Sequence, residues 1–227
     1  MKILALESSS ERASVALSID GDIRERVLVG HANHSEHLLA AIRDLLAAAG
    51  LGSSALDAVA FGSGPGAFTG LRLSCGVAQG LALGAGLGVI PVSSLAALAL
   101  FAPHHQVLVA TDARMGEVYH ARYRVENGTV TELAPPACSP PPAVPVAGPD
   151  YWGLGSAFAA YVTELAAVRA GLIGCDPLAA PTAGNVARLA AQAGSAACLP
   201  AEGAFPLYVR DKVALTTAER LARGNKA

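Results

Sequence analysis

Charge is the scarcest ingredient of this sequence. Only 15% of its 227 residues are Asp, Glu, Lys or Arg, and the two signs nearly cancel, with 16 basic against 18 acidic residues and a formal net charge of −2. No basic block or Lys/Arg-rich face is present, which excludes tight, direct nucleic-acid binding by this chain alone, because phosphate contacts need a cationic surface. Cysteine is sparse: Cys75, Cys138, Cys175 and Cys198 form no CxxC pair and fit no zinc spacing, so they read as reduced thiols in a reducing compartment. Met1-Lys2 leads straight into a strand pattern, with no secretory leader. From Leu73 to Thr111 there is no charged residue at all. That length could span a bilayer, but Gly84, Gly86, Gly88 and Pro91 break it and Gln79, Ser93 and Ser94 interrupt it. Helix, buried strand, helix is the better reading, since buried elements of α/β domains are apolar on all sides. Gly-Lys-Ser/Thr and Gly-x-Ser-x-Gly are both missing, which removes the P-loop and the serine-elbow readings.

What is abundant is apolar residue, 52% of the chain, enough for a large core in an α/β protein and incompatible with disorder. Lys2–Leu6, Ala13–Ile19 and Ile23–Val29 read as three antiparallel strands, the last two joined at Asp20-Gly21-Asp22. Asn33 reads as an N-cap with Glu36 as its capping-box partner, opening a helix to about Ala49 that Gly50 stops. Asp57–Phe61 and Gly88–Val92 read as buried strands, Gly70–Leu83 as a second helix, and Ser93 as the cap of a third. Ala102-Pro103-His104-His105 marks a boundary between lobes 1–102 and 103–227, with the C-terminal tail packing back on the first lobe. Beyond it, Val107–Thr111 starts a new strand, Val118–Val125 and Thr129–Leu133 form a hairpin about Asn127-Gly128, and Pro135–Pro149, with seven prolines, reads as a polyproline-like loop. Trp152–Ser156 reads as a strand, Phe158–Ala170 and Thr182–Ala193 as helices, Phe205–Val209 as an extended segment and Thr217–Arg223 as a short amphipathic piece. Both halves open with strand, polar turn, strand. A duplicated unit of this kind builds an actin-like ATPase-type α/β fold, two lobes each with a mixed sheet flanked by helices.

The most specified loop runs from Ala60 to Arg72, AFGSGPGAFTGLR. Gly62, Gly64, Pro65, Gly66, Phe68, Thr69 and Gly70 shape a strand-to-helix turn of the kind that binds phosphate through helix N-terminal amides. Glu7, Ser8 and Ser9 in the first turn could hold a Mg-nucleotide, although turn chemistry alone gives the same composition. Asp112, Arg114 and Glu117 end the uncharged run and are expected at a cleft or in a positioning ion pair. His31, His34 and His37 open the first helix; without a third ligand or a helical His-Glu-x-x-His they read as a solvated helix start. Leu38, Leu39, Ile42, Leu45 and Leu46 form an apolar stripe, and Gly76 and Gly80, with Arg72, lie on a small-residue helix that another helix can approach closely. These residues are core, partner contact or both.

Taken together, KILALESSS with ASVAL, HSEHLL, GSGPGAFTGLRLSCGVAQGLALG, VSSLAALA, DARMGEVY and PLYVRDKVA resemble the bacterial TsaB (YeaZ) family of tRNA threonylcarbamoyladenosine biosynthesis, from Met1 to about Ala214. The resemblance implies the actin-like two-lobe fold and a non-catalytic subunit in the cytoplasm, with no cofactor or metal of its own. ATP or ADP at a subunit interface is the one nucleotide place it leaves. It implies a TsaD-like catalytic partner docked through first-lobe helices, a TsaE-like P-loop ATPase joining the assembly, and self-pairing through the same surface when alone. It places tRNA in contact only through the complex, which would transfer a threonylcarbamoyl group from threonylcarbamoyl-adenylate to the adenosine beside the anticodon of tRNAs reading A-starting codons. Two departures stand out: many relatives have Asp at Glu7, and the His-x-x-x-His metal pair of TsaD has no counterpart among His31, His34 and His37. The competing classes are an ATP-dependent phosphotransferase working in the cleft and a peptidase.

Overall fold

A computed structural model describes residues 1–28 and 34–210, without the side chains of 34–36. In the first half, β1 (Lys2–Glu7), β2 (Ala13–Ile19) and β3 (Asp22–Leu28) are followed by α1 (His34–Ala48), β4 (Ala58–Gly64), α2 (Phe68–Ala85), β5 (Gly88–Ser93) and α3 (Ser94–Ala99). The strands form one sheet in the order β3-β2-β1-β4-β5, antiparallel across the first three and parallel from β1 to β5. The second half supplies β6 (Gln106–Asp112), β7 (Val118–Glu126), β8 (Thr129–Ser139), β9 (Tyr151–Leu154), α4 (Ala157–Ala160), α5 (Ala166–Ala170), β10 (Gly174–Asp176) and α6 (Ala183–Ala193). Its sheet, β8-β7-β6-β9-β10, repeats the same order and the same directions. The duplicated actin-like α/β architecture is therefore explicit in the strand pairing.

Two short turns set this register. Asp20 (φ 51°) and Gly21 (φ 96°) join β2 to β3, and Asn127 (φ 52°) and Gly128 (φ 77°) join β7 to β8. Two successive left-handed residues match the twist of the flanking strands, and Asn, Asp and Gly tolerate that region best.

Alternation in the strands sorts the first core into two layers. Leu4, Leu6, Val15, Leu17, Val59 and Phe61 face α1 and α2, where they meet Leu38, Ile42, Cys75 and Ala78. Ile3, Ala5, Ala16, Ala58 and Ala60 face the other way, against Ala97 of α3 and Ala183, Val186, Ala187 and Ala190 of α6. A helix from the second half thus covers the back of the first sheet. Its N-terminus is anchored there: the Thr182 hydroxyl accepts from the Asn185 amide at 3.4 Å, Ser14 Oγ from the Ala183 amide at 2.8 Å and Glu25 Oε1 from the Gly184 amide at 3.0 Å. Asn185 Nδ2 donates to the Ala97 carbonyl at 2.9 Å. The wall between lobes is α3, capped by Ser93, with Leu95, Leu98 and Ala99 in the core of the second sheet.

Several expectations need correction. The segment from Pro135 is not wholly a loop, because β8 continues to Ser139. Prolines are tolerated there because β8 is an edge strand, and the ladder slips by one residue between the His120–Ala137 and Arg122–Ala134 pairs, a bulge at Pro135-Pro136. The single helix expected over Phe158–Ala170 is two short pieces, and β10, only three residues long, carried no sequence signal. Phe205–Val209 joins no ladder. Asn33, His31 and Thr217–Arg223 lie outside the described residues, and the side chain of His34 is likewise not described. No helix among the described residues is long and apolar enough to cross a membrane.

Candidate functional site: two lobe turns, a cleft and an open helix face

Glu7 ends β1 and is wholly buried. Its Oε1 accepts from the Ser9 amide at 2.6 Å and its Oε2 from Ser94 Oγ at 2.8 Å. Ser94 Oγ in turn accepts from the Gly64 amide at 3.2 Å. Burial pushes the Glu7 carboxyl above its ordinary value, and the hydrogen bonds from Ser9 and Ser94 pull part of the way back. Ser8 Oγ donates to the Gly70 carbonyl at 2.7 Å and shares a short hydrogen bond with Ser74 Oγ.

The Gly-rich loop is the lid of this knot. A Cβ on Gly62 would fall 1.9 Å from Glu7 Oε2, one on Gly66 would fall 2.4 Å from the Ser9 carbonyl, and one on Gly70 would fall 1.7 Å from the Ser8 carbonyl. The Ala67 amide donates to the Ser9 carbonyl at 2.7 Å. Two of these glycines thus permit close approach of the β1–β2 turn, and the loop's shape serves packing. Glu7 has no solvent face, and the Ser8 hydroxyl and Ser9 amide are already committed within the chain, while Ser9 also lines the cleft. Among the described residues, no three His, Cys, Asp or Glu side chains converge on a metal site.

The second lobe presents the matching turn. Asp112 Oδ1 accepts from the Arg114 amide at 2.8 Å and from Tyr161 OH at 2.7 Å, and its Oδ2 lies 3.3 Å from Arg114 Nη1. Burial and the Asp112 carboxylate push the Tyr161 phenol up to about 12. Arg114 also pairs with Glu11 on the first lobe, closing one side of the cleft. Glu117 pairs at 2.6 Å with Arg210 from the C-terminal segment. Asp112, Arg114 and Glu117 are therefore brought together and faced by Glu11, Tyr161 and Arg210; Arg210 stands in the PLYVRDKVA stretch, whereas Glu11 and Tyr161 belong to none of the matched motifs. The cleft between the two turns encloses about 720 Å³, with Ser9, Pro65, Phe68, Asp112, Tyr119 and Leu178 among its walls.

The helix face is separate from the cleft. On α1, Leu38, Ile42 and Leu46 are buried and Leu45 is half-buried, while Leu39 is 56% exposed. This corrects the partner-interface candidacy of Leu38, Ile42 and Leu46, which belong to the first-lobe core. On α2, Gly76 and Gly80, with Gly84 one turn on, lie one above another on the helix surface, and a Cβ on any of them would meet nothing within 4 Å. Leu83 beside them is 77% exposed. Arg72, at the start of α2, is engaged within the chain: its guanidinium lies 3.7 Å over the Phe68 ring and donates to Tyr208 OH at 3.2 Å.

Two duplicated sheets about a cleft, with the turn of each lobe facing it, define an actin-like two-lobe protein. Residues 29–149 match the family model described as TsaD, tRNA N6-adenosine threonylcarbamoyltransferase. The chain is similar to the tRNA threonylcarbamoyladenosine biosynthesis protein TsaB of Escherichia coli (44% identical over 133 residues, 56% of this chain and 58% of that protein). It is similar also to the TsaB protein of Haemophilus influenzae (39% identical over 175 residues, 71% of this chain and 74% of that protein). Its matched region thus spans less than two thirds of the Escherichia coli relative. The solved YeaZ from Pseudomonas aeruginosa superposes with a TM-score of 0.83 at 37% identity, covering 91% of this chain and all of that one. The chain belongs to the TsaB (YeaZ) family.

Proposed function

We propose that this chain is the non-catalytic, activating subunit of a tRNA threonylcarbamoyl transferase, and that it docks a TsaD-like catalytic subunit through the exposed side of α2 and the neighbouring edge of α1. The observation that carries this reading is the row Gly76, Gly80, Gly84, open to solvent and bordered by Leu83. Glycine in a helix interior costs on the order of 1 kcal/mol relative to alanine, and none of the three is needed for packing among the described residues. A second helix can approach such a row closely, and that contact offsets the cost. The family to which the chain belongs supplies the pathway: transfer of a threonylcarbamoyl group to the adenosine beside the anticodon, with tRNA reached only through the complex. The near-neutral charge of the chain is consistent with tRNA contact residing elsewhere. The same face would serve self-pairing when the catalytic subunit is absent, and a TsaE-like ATPase completes the assembly.

Gly76→Leu and Gly80→Leu test the reading. Each variant should remain folded, because the added side chain points into open space. Each should fail to co-purify with a TsaD-like subunit and should run as a monomer by light scattering. Co-purification at the unsubstituted level would sink the docking face.

A further inference from the structure

We infer that Ala204–Arg210 is an internal clamp that holds the two lobes closed over the cleft and couples the β6–β7 turn of the second lobe to the start of α2 in the first. The segment crosses the cleft and grips both sides.

On the first lobe, the Leu207 amide donates to the Ser63 carbonyl at 2.7 Å, and Gln79 Nε2 donates to the Ala204 carbonyl at 3.0 Å. Tyr208 stacks against Phe68, with ring centroids 5.8 Å apart, and its hydroxyl accepts from Arg72. Two residues on, Arg210 reaches the second lobe. Its Nη2 donates to the carbonyls of Ala113 at 2.9 Å and Arg114 at 3.2 Å, and also pairs with Glu117. The guanidinium is only 12% exposed and lies 5.8 Å from the Tyr119 ring centroid.

The turn that Arg210 holds is a strained one. Arg114 (φ 61°), Met115 (φ 58°) and Gly116 (φ 76°) are three successive left-handed residues, two of them not glycine. Such backbone persists only where the surroundings over-determine it. The surroundings here are Arg210 on two of the turn's carbonyls, Asp112 on the Arg114 amide, and Glu11 from the opposite lobe. Met115 itself is 60% exposed, and its Sδ accepts from Arg210 Nη1 at 3.7 Å. The turn closes on its own backbone bonds, from the Ala113 amide to the Glu117 carbonyl at 2.9 Å and from the Glu117 amide to the Arg114 carbonyl at 3.2 Å, and the clamp adds Arg210 to it from outside. Release of residues 204–210 would free the turn and loosen the cleft on the side that Arg114 and Glu11 close, while α3 and α6 still join the two halves. This device is independent of the docking face and does not require it.

Hydrogen exchange on the full chain tests the clamp from both ends. In Arg210→Ala, the amides of Ala113 and Glu117 should exchange at least tenfold faster. So should those of Leu207 and Ala67 on the other lobe, while Leu4 and Val109 in the sheets stay unchanged. In Tyr208→Ala, where a half-exposed first-lobe contact is removed, the Ala113 and Glu117 amides across the cleft should also accelerate. Arg210→Lys keeps a charge for Glu117 but is shorter and lacks both the Nη1 that meets Met115 Sδ and the planar guanidinium beside Tyr119, and should fall between Arg210→Ala and the parent. If Arg210→Ala loosens the sheets as well, the Tyr208→Ala result decides alone. Acceleration confined to the lobe that carries the lost contact, or no acceleration, overturns the clamp.

Discussion

Gly62→Ala probes the knot at its tightest point. The new Cβ would stand 1.9 Å from Glu7 Oε2, 2.6 Å from its carboxyl carbon and 2.8 Å from Ser94 Oγ. The carboxyl has nowhere to go, because Glu7 is fully buried between β1, the Gly-rich loop and α3. To admit the methyl, it must give up the bonds from Ser9 and Ser94, at 2.6 and 2.8 Å. Overpacking a filled core costs about 1–3 kcal/mol, and leaving a buried polar group unsatisfied costs a further ~1–3 kcal/mol, more if it is charged. The expected loss is therefore about 2–6 kcal/mol, a large share of the roughly 5–15 kcal/mol that stabilises a domain. Urea unfolding followed by far-UV circular dichroism reads it directly. Gly76→Ala is the contrasting substitution in the same experiment: its methyl meets nothing within 4 Å, so the helix should gain about 0.5–1 kcal/mol. A cycle with Glu7→Ala isolates the clash, and Gly62→Ala should cost at least about 2 kcal/mol less when the carboxyl is gone. A loss below about 1 kcal/mol in the parent background, or no coupling to Glu7, would refute the account of the loop as a shaped cover over a buried carboxyl.

Glu7 should also leave a mark on the pH dependence of stability. Burial raises its folded pKa above the ordinary value of about 4.5, so the native chain retains a proton that the unfolded chain has released. Its contribution is full below the unfolded value and falls as pH rises from there through the folded one. Glu7→Gln should flatten that fall in urea midpoints measured between pH 5 and pH 8, and an unchanged slope would place the titration elsewhere. Ser18 is 1% exposed and its hydroxyl has no hydrogen-bond partner among the described residues, so Ser18→Ala should be neutral or stabilising by up to about 1 kcal/mol, as read by thermal melting; a clear loss would reveal a hidden partner. Calorimetry with Mg-ATP on the isolated chain should give no micromolar binding heat, since the groups of the first turn are already bonded. Binding that disappears in Ser9→Ala would overturn that assignment.

Local chemistry made much of this fold readable before any coordinates. Asp20-Gly21 and Asn127-Gly128 are hairpin turns whose residues state their own conformation, and the capping Ser93 and Thr182 mark real helix starts. The duplicated start of each half is legible in its strand, polar turn, strand pattern, Leu4 to Leu17 in the first and Leu108 to Tyr123 in the second. What escaped depended on partners distant in sequence. Glu7 reads in sequence as a polar turn residue that could hold a Mg-nucleotide; its burial rests on the Ser9 amide and on Ser94, 87 positions away and invisible to local pattern. The leucines of α1 could not be divided between core and surface, since periodicity gives a stripe without its width, and the fold leaves Leu39 outside while Leu38 and Ile42 go in. Arg210 stands in the PLYVRDKVA stretch, but what it holds was not legible there, because two of its targets are backbone carbonyls, which every residue has, and the third, Glu117, is 93 positions away.

The placement of α6 has a consequence for how the molecule comes apart. The repeat visible in the strand order is not the unit that folds. The first sheet completes its back layer only when Ala183–Ala193 arrives from the far end of the second half, carrying Asn185 to the Ala97 carbonyl. Cut at the duplication boundary, the first half would expose Ile3, Ala16 and Ala60 to water and invite aggregation. The two halves should therefore share one cooperative calorimetric transition, and the first sheet would be the last structure to mature as the chain emerges during synthesis.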